Sequence, residues 1–152
     1  MRLEPLDVAD PAVASRLLEL QRDSYRVEAD LIGSDAIPPL RETLAELQAC
    51  GETFLGAFVG GTLVGAISWK LDGETIDLHR LVVDPGHFRQ GLGAALVRAA
   101  LTAEPGAERA VVQTGAANGP AAALYLGEGF QPAGESEPFP GLRVTRFTRR
   151  LR

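Results

Sequence analysis

The segment of residues 83–96, which reads VDPGHFRQGLGAAL, constrains the fold of this chain more than any other stretch. Residues 76–83 just upstream are rich in β-branched and apolar side chains, and Asp84-Pro85-Gly86 follows with turn residues, which predicts a strand. From near Gly91 onward, apolar residues recur at helical spacing and predict a helix with one apolar face. A strand that leads into such a helix indicates an α/β layer in which the helix packs on a sheet.

The glycines of this segment lie where the predicted helix begins. Gly91 and Gly93 carry no Cβ, so ligand oxygens can approach the backbone amides of residues 89–94. The first turn of a helix offers unpaired N–H groups and a positive dipole end, worth about 0.3–1 kcal/mol for each nearby anionic group. Arg89 adds a permanent positive charge. These features predict a phosphate site, and an ordinary strand-turn-helix junction is the alternative at this point.

Two other phosphate-binding loops do not fit this segment. The dinucleotide fingerprint G-x-G-x-x-G would require glycine in place of Leu96. The Walker A loop would require Gly-Lys-Ser/Thr, which is absent from the chain.

Composition narrows the class of protein. The chain has 152 residues, of which 45% are hydrophobic, so a single domain over residues 1–152 is expected. A formal net charge of −5 argues against a nucleic-acid-binding surface, and the arginines of residues 143–150 alternate with apolar residues as in an edge strand. Cys50 is the only cysteine, and no signal segment or long apolar run is present, so we expect a cytoplasmic protein with no membrane contact.

Periodicity and turn residues predict a mixed α/β (α+β) fold rather than a doubly wound sheet. A first helix is expected from Pro11 to about Tyr25, and a second from Pro38-Pro39 to Cys50-Gly51. Residues 131–142, with their three prolines, are expected to be irregular. The other predicted elements are strands at residues 2–6, 53–59, 62–70, 76–83, 110–114 and 143–150, and helices at residues 91–103 and 120–127.

Two motifs in this order resemble the GNAT superfamily of N-acetyltransferases over nearly the whole chain. In that family the strand-to-helix loop carries Q/R-x-x-G-x-G/A, which aligns with residues 88–93, FRQGLG. Phe88 departs from the Q/R position, so the backbone amides and Arg89 carry the expected contact. The family's N-x-x-A-x-x-L-Y-x-x-x-G-F matches residues 118–130, NGPAAALYLGEGF. The resemblance implies a mixed, mostly antiparallel central sheet with helices on both faces.

The resemblance also implies acetyl-CoA as the co-substrate and no metal. The amides of residues 89–94 would hold the pyrophosphate, and residues 81–83 would separate from the adjacent strand beside the pantetheine arm. Val83 N–H is the expected donor to the acetyl carbonyl, a contact worth roughly 3 kcal/mol in a dry site. Asn118 would hydrogen-bond the cofactor arm, cap the following helix, or do both. The expected cofactor-binding residues are Leu81, Val82, Val83, Arg89, Gln90, Gly91, Leu92, Gly93, Ala94, Asn118 and Tyr125.

Tyr125 is the expected catalytic acid, with a core tyrosine as the alternative. A phenol with an ordinary pKa of about 10 is protonated at neutral pH and can donate to the departing thiolate. The acceptor amine needs a base, because deprotonating a lysine-like amine at pH 7 costs about 4.6 kcal/mol. By strand alternation, Asp77, His79 and Leu81 should share a side with Val83. Asp77 matches the position of a glutamate base in histone-acetylating members, and a histidine suits a base at neutral pH.

Specificity for the acceptor is expected from residues 25–44 and 135–142, which overhang the thioester in this family. Acidic residues in the first range can attract a cationic amine, although solvated helix charges are the more ordinary interpretation. Two histidines and one cysteine at their spacings form no metal site. The acidic residues are Glu28, Asp30, Asp35 and Glu42.

The leading hypothesis from the sequence is an N-acetyltransferase in which an amine attacks the thioester directly. The alternatives are a non-catalytic acyl-CoA-binding or regulatory domain, transfer of a longer acyl group, and transfer to a hydroxyl. The expected partners are a small-molecule or peptide amine, with no nucleic acid, and a homodimer is compatible with this interpretation.

Overall fold

The computed structural model describes residues 1–33 and 42–151. Seven strands and four α-helices lie within these ranges, together with a short 3-10 turn at Pro85–His87. In chain order they are β1 Arg2–Leu6, α1 Pro11–Ile32, α2 Leu44–Gln48, β2 Thr53–Val59, β3 Thr62–Asp72, β4 Thr75–Val83, α3 Leu92–Thr102, β5 Arg109–Gly115, α4 Gly119–Gly127, β6 Gln131–Phe139 and β7 Leu142–Arg150.

The seven strands form one sheet in the order β1-β2-β3-β4-β5-β7-β6. Every neighbouring pair is antiparallel except β4 and β5, which are parallel, so the predicted mixed and mostly antiparallel sheet is confirmed. The β4–β5 pairing runs only from Thr75 opposite Arg109 to Leu78 opposite Val112. Beyond that point the two strands separate, and the last five residues of β4 have no partner in β5.

Helices cover both faces of the sheet, as predicted. On one face, α1 and α2 pack through residues such as Leu17 and Leu47 on a buried cluster that includes Val82. On the other face, α3 and α4 pack through residues such as Leu96 on a second cluster that includes Ile76. The separation of β4 from β5 therefore opens a passage between an α1 face and an α3–α4 face.

The two helices of the α1 face differ from their predicted bounds. The first helix extends beyond Tyr25 to Ile32, and it ends at Gly33, whose left-handed backbone at φ 68° allows its N–H to bond the Ala29 carbonyl. The second helix begins at Leu44, because Thr43 is extended and forms a capping box with Glu46. A helix running through residues 42 and 43 is therefore wrong. The predicted start at residues 38–39 lies outside the described residues.

The C-terminal strands also differ from the prediction. Residues 131–139, expected to be irregular, form the edge strand β6, where prolines are tolerated because their missing N–H groups can face away from the ladder. The arginine-rich strand β7 was expected at an edge but lies between β5 and β6.

A β-bulge in β4 changes which side chains share a face. Trp69 of β3 pairs with Leu78, and the next β3 residue inward, Ser68, pairs with Arg80. His79 is therefore an extra residue with no partner opposite it. The alternation of β4 side chains is broken at this position.

Candidate active site

A cleft of about 1020 Å³ lies where β4 and β5 separate. It is lined by both strands, α1, the start of α3, α4 and the β6–β7 hairpin, and it is large enough for a ligand of cofactor size. Asp77, His79 and all the predicted cofactor-binding residues except Val82 and Gln90 line this cleft. The Val82 side chain is buried in the α1-face core, and Gln90 is exposed outside the cleft.

The N-terminus of α3 forms one end of the cleft. Gly91 is its N-cap with a left-handed backbone at φ 78°, and no side chain caps the helix. Arg89 is the one non-glycine with positive φ in the described part of the chain, at 64°. Such a backbone costs roughly 1–2 kcal/mol, and strain of this kind is common at ligand-binding sites. A Cβ added at Gly91 would meet nothing within 4 Å, so the approach to these amides is open.

The cleft edge of β4 presents backbone N–H groups. Asp84 N–H donates to the Val64 carbonyl of β3 at 2.8 Å, so the preceding N–H, that of Val83, faces the cleft. By alternation the Leu81 N–H faces the same way. Val83 N–H donates to Ser24 Oγ of α1 at 3.3 Å. The predicted Val83 donor therefore faces the cleft, and Ser24 is a neighbour that sequence reasoning did not identify.

Tyr125 combines a core position with a place in the cleft wall. Only 4% of the residue is exposed. Its ring packs edge-on against Phe130, with the ring centroids 5.5 Å apart, and in a tilted arrangement against Phe147, with the centroids 5.9 Å apart. Burial raises the pKa of Tyr125 above its ordinary value, and the charge of Glu28 raises it further. The phenol is therefore protonated at neutral pH, as a proton donor requires.

Asn118 and Glu28 meet at the α4 wall. Asn118 Oδ1 accepts the Ala121 N–H at 3.1 Å, which confirms the predicted helix cap. The Glu28 carboxyl group receives hydrogen bonds from the Asn118 side chain and from the Gly115 backbone. Burial raises the pKa of Glu28, and these hydrogen bonds only partly oppose the shift. The interpretation of Glu28 as a solvated helix charge is therefore wrong.

The predicted grouping of the base candidates is also wrong, because of the β4 bulge. Leu81 and Val83 pack toward the α3 face. His79 instead lies 3.6 Å from Glu52 and 3.4 Å from Asp77 on the α1 face. Asp77 and His79 therefore enter the cleft from the side of α1, opposite the first turn of α3.

A buried charge cluster underlies that face. Arg80, with 6% of its side chain exposed, bonds Glu52 at 2.8 and 3.0 Å, Gln21 at 2.8 Å, and both carboxylate oxygens of Glu42. Burial alone would lower the pKa of Arg80, but the two carboxylates raise it above its ordinary value. The pKa of Glu52 is lowered, because hydrogen bonds from Arg80 and Ser68 outweigh its burial.

The sequence analysis did not predict this cluster. Arg80 lies within the apolar run of residues 76–83, and an arginine in such a run can indicate a buried charge that needs acidic partners. Glu42 is held by Arg80 rather than solvated, whereas Asp30 is exposed as expected. Asp35 lies outside the described residues. Across residues 1–33 and 42–151, no helix has the length and apolarity to cross a bilayer, and no three His, Cys, Asp or Glu residues are grouped to hold a metal ion.

Comparison with known sequences relates this geometry to a family. The family described as the Acetyltransferase (GNAT) family matches residues 14–130. The UPF0157 protein YqkA of Bacillus subtilis is 35% identical over 145 residues, which cover 95% of this chain and 42% of that protein. The chain thus spans less than half the length of this curated relative.

Two solved structures share the fold. The ribosomal-protein-S18-alanine N-acetyltransferase from Escherichia coli has a TM-score of 0.79 at 17% identity, over 99% of this chain and 93% of that chain. YncA from Salmonella typhimurium, solved with its cofactor acetyl-CoA, has a TM-score of 0.74 at 20% identity, over 100% of this chain and 94% of that chain. With the family match over most of its residues and this shared fold, the chain belongs to the Acetyltransferase (GNAT) family of acyltransferases.

Proposed function

We propose that this domain transfers an acetyl group from acetyl-CoA to an amine by direct attack on the thioester. The observation that carries the proposal is the separation of β4 from β5 beside the uncapped N-terminus of α3, with Tyr125 in the same cleft. Family membership supports the acyl-transfer class. The acetyl-CoA bound to YncA, which has the same fold, supports this choice of acyl donor.

The cofactor-binding role is assigned mainly to backbone. The amides of residues 89–94 hold the pyrophosphate, because they are uncapped, lie at a helix N-terminus and have Arg89 beside them. The N–H groups of Leu81 and Val83 serve the pantetheine arm and the acetyl carbonyl. Asn118 contributes its side chain from the opposite wall. Gln90 contributes through its backbone, since its side chain does not line the cleft. Val82 lies between the two β4 donors, and its backbone groups face β3, opposite Ala66.

The chemical step needs a donor at the carbonyl oxygen and an acid at the sulfur. Val83 N–H stabilises the charge that develops on the carbonyl oxygen. For this, the carbonyl oxygen replaces the Ser24 hydroxyl as the acceptor of the Val83 hydrogen bond. Tyr125 donates its hydroxyl proton to the departing sulfur. No enzyme nucleophile is required. Cys50 does not line the cleft, and burial raises the pKa of its thiol, which keeps it unreactive.

The acceptor enters from the α1 face of the cleft. Asp77 and His79 line this side and are the two base candidates that strand position predicts. Their exposure, with 48% and 32% of the side chains accessible, suits contact with an incoming cation. We propose a small-molecule or peptide amine as the acceptor, in a cytoplasmic setting, with residues 1–152 as one acyltransferase domain.

The test is CoA release from acetyl-CoA with an amine panel, in wild type and in Tyr125→Phe. The panel contains spermidine, 2-phenylethylamine, lysine, an aminoglycoside and a peptide with N-terminal alanine. We expect turnover with at least one amine. Tyr125→Phe should lower kcat by about 10²–10⁴-fold, the usual contribution of a general acid, while acetyl-CoA affinity and stability are retained because the ring still packs.

Two results would contradict the proposal. Saturable acetyl-CoA binding with no turnover on any amine would favour the non-catalytic acyl-CoA-binding domain. Faster turnover with a longer acyl-CoA would show that the transferred group is not acetyl. Faster turnover with hydroxyl acceptors would show that the acceptor is not an amine.

A further inference from the structure

The position of Glu28 on α1 follows from that of Ser24. The two residues are four apart, so their side chains project from the same face of the helix with Cβ atoms about 5–6 Å apart. Ser24 Oγ lies 3.3 Å from the Val83 nitrogen, where an oxygen that accepts from this amide would lie. Glu28 is therefore one helical turn from the position proposed for the acetyl carbonyl.

Groups on the other side of the cleft act on the Glu28 carboxyl group. The Gly115 backbone at the end of β5 and the Asn118 side chain at the start of α4 both oppose the rise in its pKa, so they lie beside it. The charge of Glu28 also raises the pKa of Tyr125. Glu28, Tyr125 and Val83 thus line the same cleft from three different elements.

We infer that Glu28 is the general base of the reaction and takes the proton that the acceptor ammonium group must lose before attack. The inference rests on the proposed acetyl transfer and adds to it the residue that activates the acceptor.

Protons and bonds balance as follows in this scheme. Glu28 takes one proton from the ammonium group, and the neutral nitrogen forms a bond to the acetyl carbon while the C–S bond breaks. The sulfur takes the hydroxyl proton of Tyr125, and the resulting phenolate takes back a proton from the nitrogen of the new amide. Glu28 then releases its proton to water. One ammonium and one acetyl-CoA give one amide, one CoA thiol and one proton.

The surroundings of Glu28 suit this exchange. Burial brings the pKa of its carboxyl group closer to neutrality than that of an exposed glutamate, which favours reversible proton transfer. Protonation of Glu28 also removes the negative charge that raises the pKa of Tyr125. Acceptance of the first proton therefore makes Tyr125 a stronger acid when the sulfur leaves.

Several other titratable and charged groups face this region. Tyr25, next to Ser24, is buried, and its pKa is raised by burial and by the charge of Glu28, so it stays neutral. The remaining charged residues of the cleft lining are Asp77, His79 and Arg80 of β4, His87 and Arg89 before α3, and Arg146 of β7.

Asp77 and His79 lie further from the reacting atoms. Asp77 is still in the part of β4 that pairs with β5, opposite Val111, and six residues separate it from Val83. At about 3.3 Å per strand residue, this places the two roughly 20 Å apart. His79 is closer to Val83, but its ring lies between Glu52 and Asp77.

The pH dependence of kcat/KM in Glu28→Gln tests the inference. The variant is compared with wild type on the same amine panel from about pH 6 to pH 10, which brackets ordinary amine pKa values. Wild type should reach a plateau above the pKa of Glu28, because the bound ammonium group loses its proton to the carboxylate. The variant should be about 10²–10⁴-fold slower at neutral pH, and its kcat/KM should rise with pH up to the amine pKa, because only neutral amine reacts.

Matched variants separate this effect from a general loss of charge. Asp30→Asn removes an exposed carboxylate from the same helix and should leave kcat/KM unchanged. Asp77→Asn and His79→Gln test the two base candidates that strand position predicts. If Glu28 is the base, each of these variants still shows a pH-independent plateau, whatever its absolute rate. A wild-type profile in Glu28→Gln, or a plateau lost only in Asp77→Asn or His79→Gln, would overturn the inference while leaving acetyl transfer intact.

A measurement without an acceptor covers the case in which no amine on the panel reacts. In protein labelled with ¹³C at glutamate carboxyl carbons, the Glu28 signal is the one missing from Glu28→Gln. It should titrate above the ordinary glutamate range, and the titration should move further up in Asn118→Ala, because that variant removes a hydrogen-bonding group that lowers the pKa of Glu28. Titration of Glu28 in the ordinary range would overturn the inference whatever the fate of the proposed function.

Discussion

Arg80 shows how a single buried charge organises the α1 face. On the α1 face of the sheet, Arg80 bonds both Glu42, just ahead of α2, and Glu52, just ahead of β2. A paired charge of this kind is no more stabilising than a good apolar core, but removing one partner leaves the others buried and uncompensated. The chain just ahead of α2 is therefore held to the sheet at Glu42 by one guanidinium group.

Arg80→Met should lower the free energy of unfolding by about 3–5 kcal/mol near neutral pH, because two carboxylates lose their shared cation. In wild type the pKa of Glu52 is lowered, so its stabilising contribution is present above its ordinary pKa and is lost as pH falls through the folded value. In the variant the sign reverses, and stability should recover on acidification. Urea unfolding at several pH values checks both statements.

Arg98→Met is the matched control for this measurement. Arg98 bonds Glu128 at 2.8 and 3.0 Å on the surface, where 69% of the Arg98 side chain is exposed. Solvent screens this pair, so its loss should have a much smaller effect. Equal losses in the two variants would show that Arg80 is an ordinary surface contact.

At the scale of elements, the start of α3 depends on backbone conformation more than on side chains. Gly91→Ala should weaken acetyl-CoA binding by about tenfold, or 1.4 kcal/mol, because its Cβ stands at the phosphate approach and strains a φ of 78°. Gly51→Ala is the matched control, with a φ of 74°, open space around it and no place in the cleft. Calorimetric titration should show unchanged affinity for Gly51→Ala, and equal weakening in both variants would contradict the phosphate site.

Elements also show what the sequence could and could not predict. The strands with clear apolar runs, such as β2, and the glycine-started helix α3 were predicted closely, because their signals are local. The strand β6 was missed, since every residue in it is exposed and its pairing with β7 alone defines it. The bulge at His79 arises from the register with β3, which no pattern within β4 encodes.

At the scale of the whole molecule, the separation of β4 from β5 joins two chemically different faces. The α3–α4 face offers the uncapped amides at the start of α3, and it offers Tyr125, and both lie within the two motifs that the sequence predicted as cofactor-binding. The α1 face offers Ser24 and the Arg80 cluster, which sequence analysis did not identify, and Glu28, which it interpreted as a solvated helix charge. These contacts join residues tens of positions apart, such as Ser24 and Val83, and carry no local pattern.

The central claim is that this cleft is the acetyl-CoA site, and titration of ¹⁵N-labelled protein with acetyl-CoA tests it most directly. Amide signals of residues 89–94, of Leu81 and Val83, and of Asn118 and Tyr125 should shift together and saturate with one dissociation constant. Amide signals of β1, which is an edge strand of the sheet and does not line the cleft, should stay in place. Shifts absent from residues 81–94, or centred outside the cleft, would contradict the account.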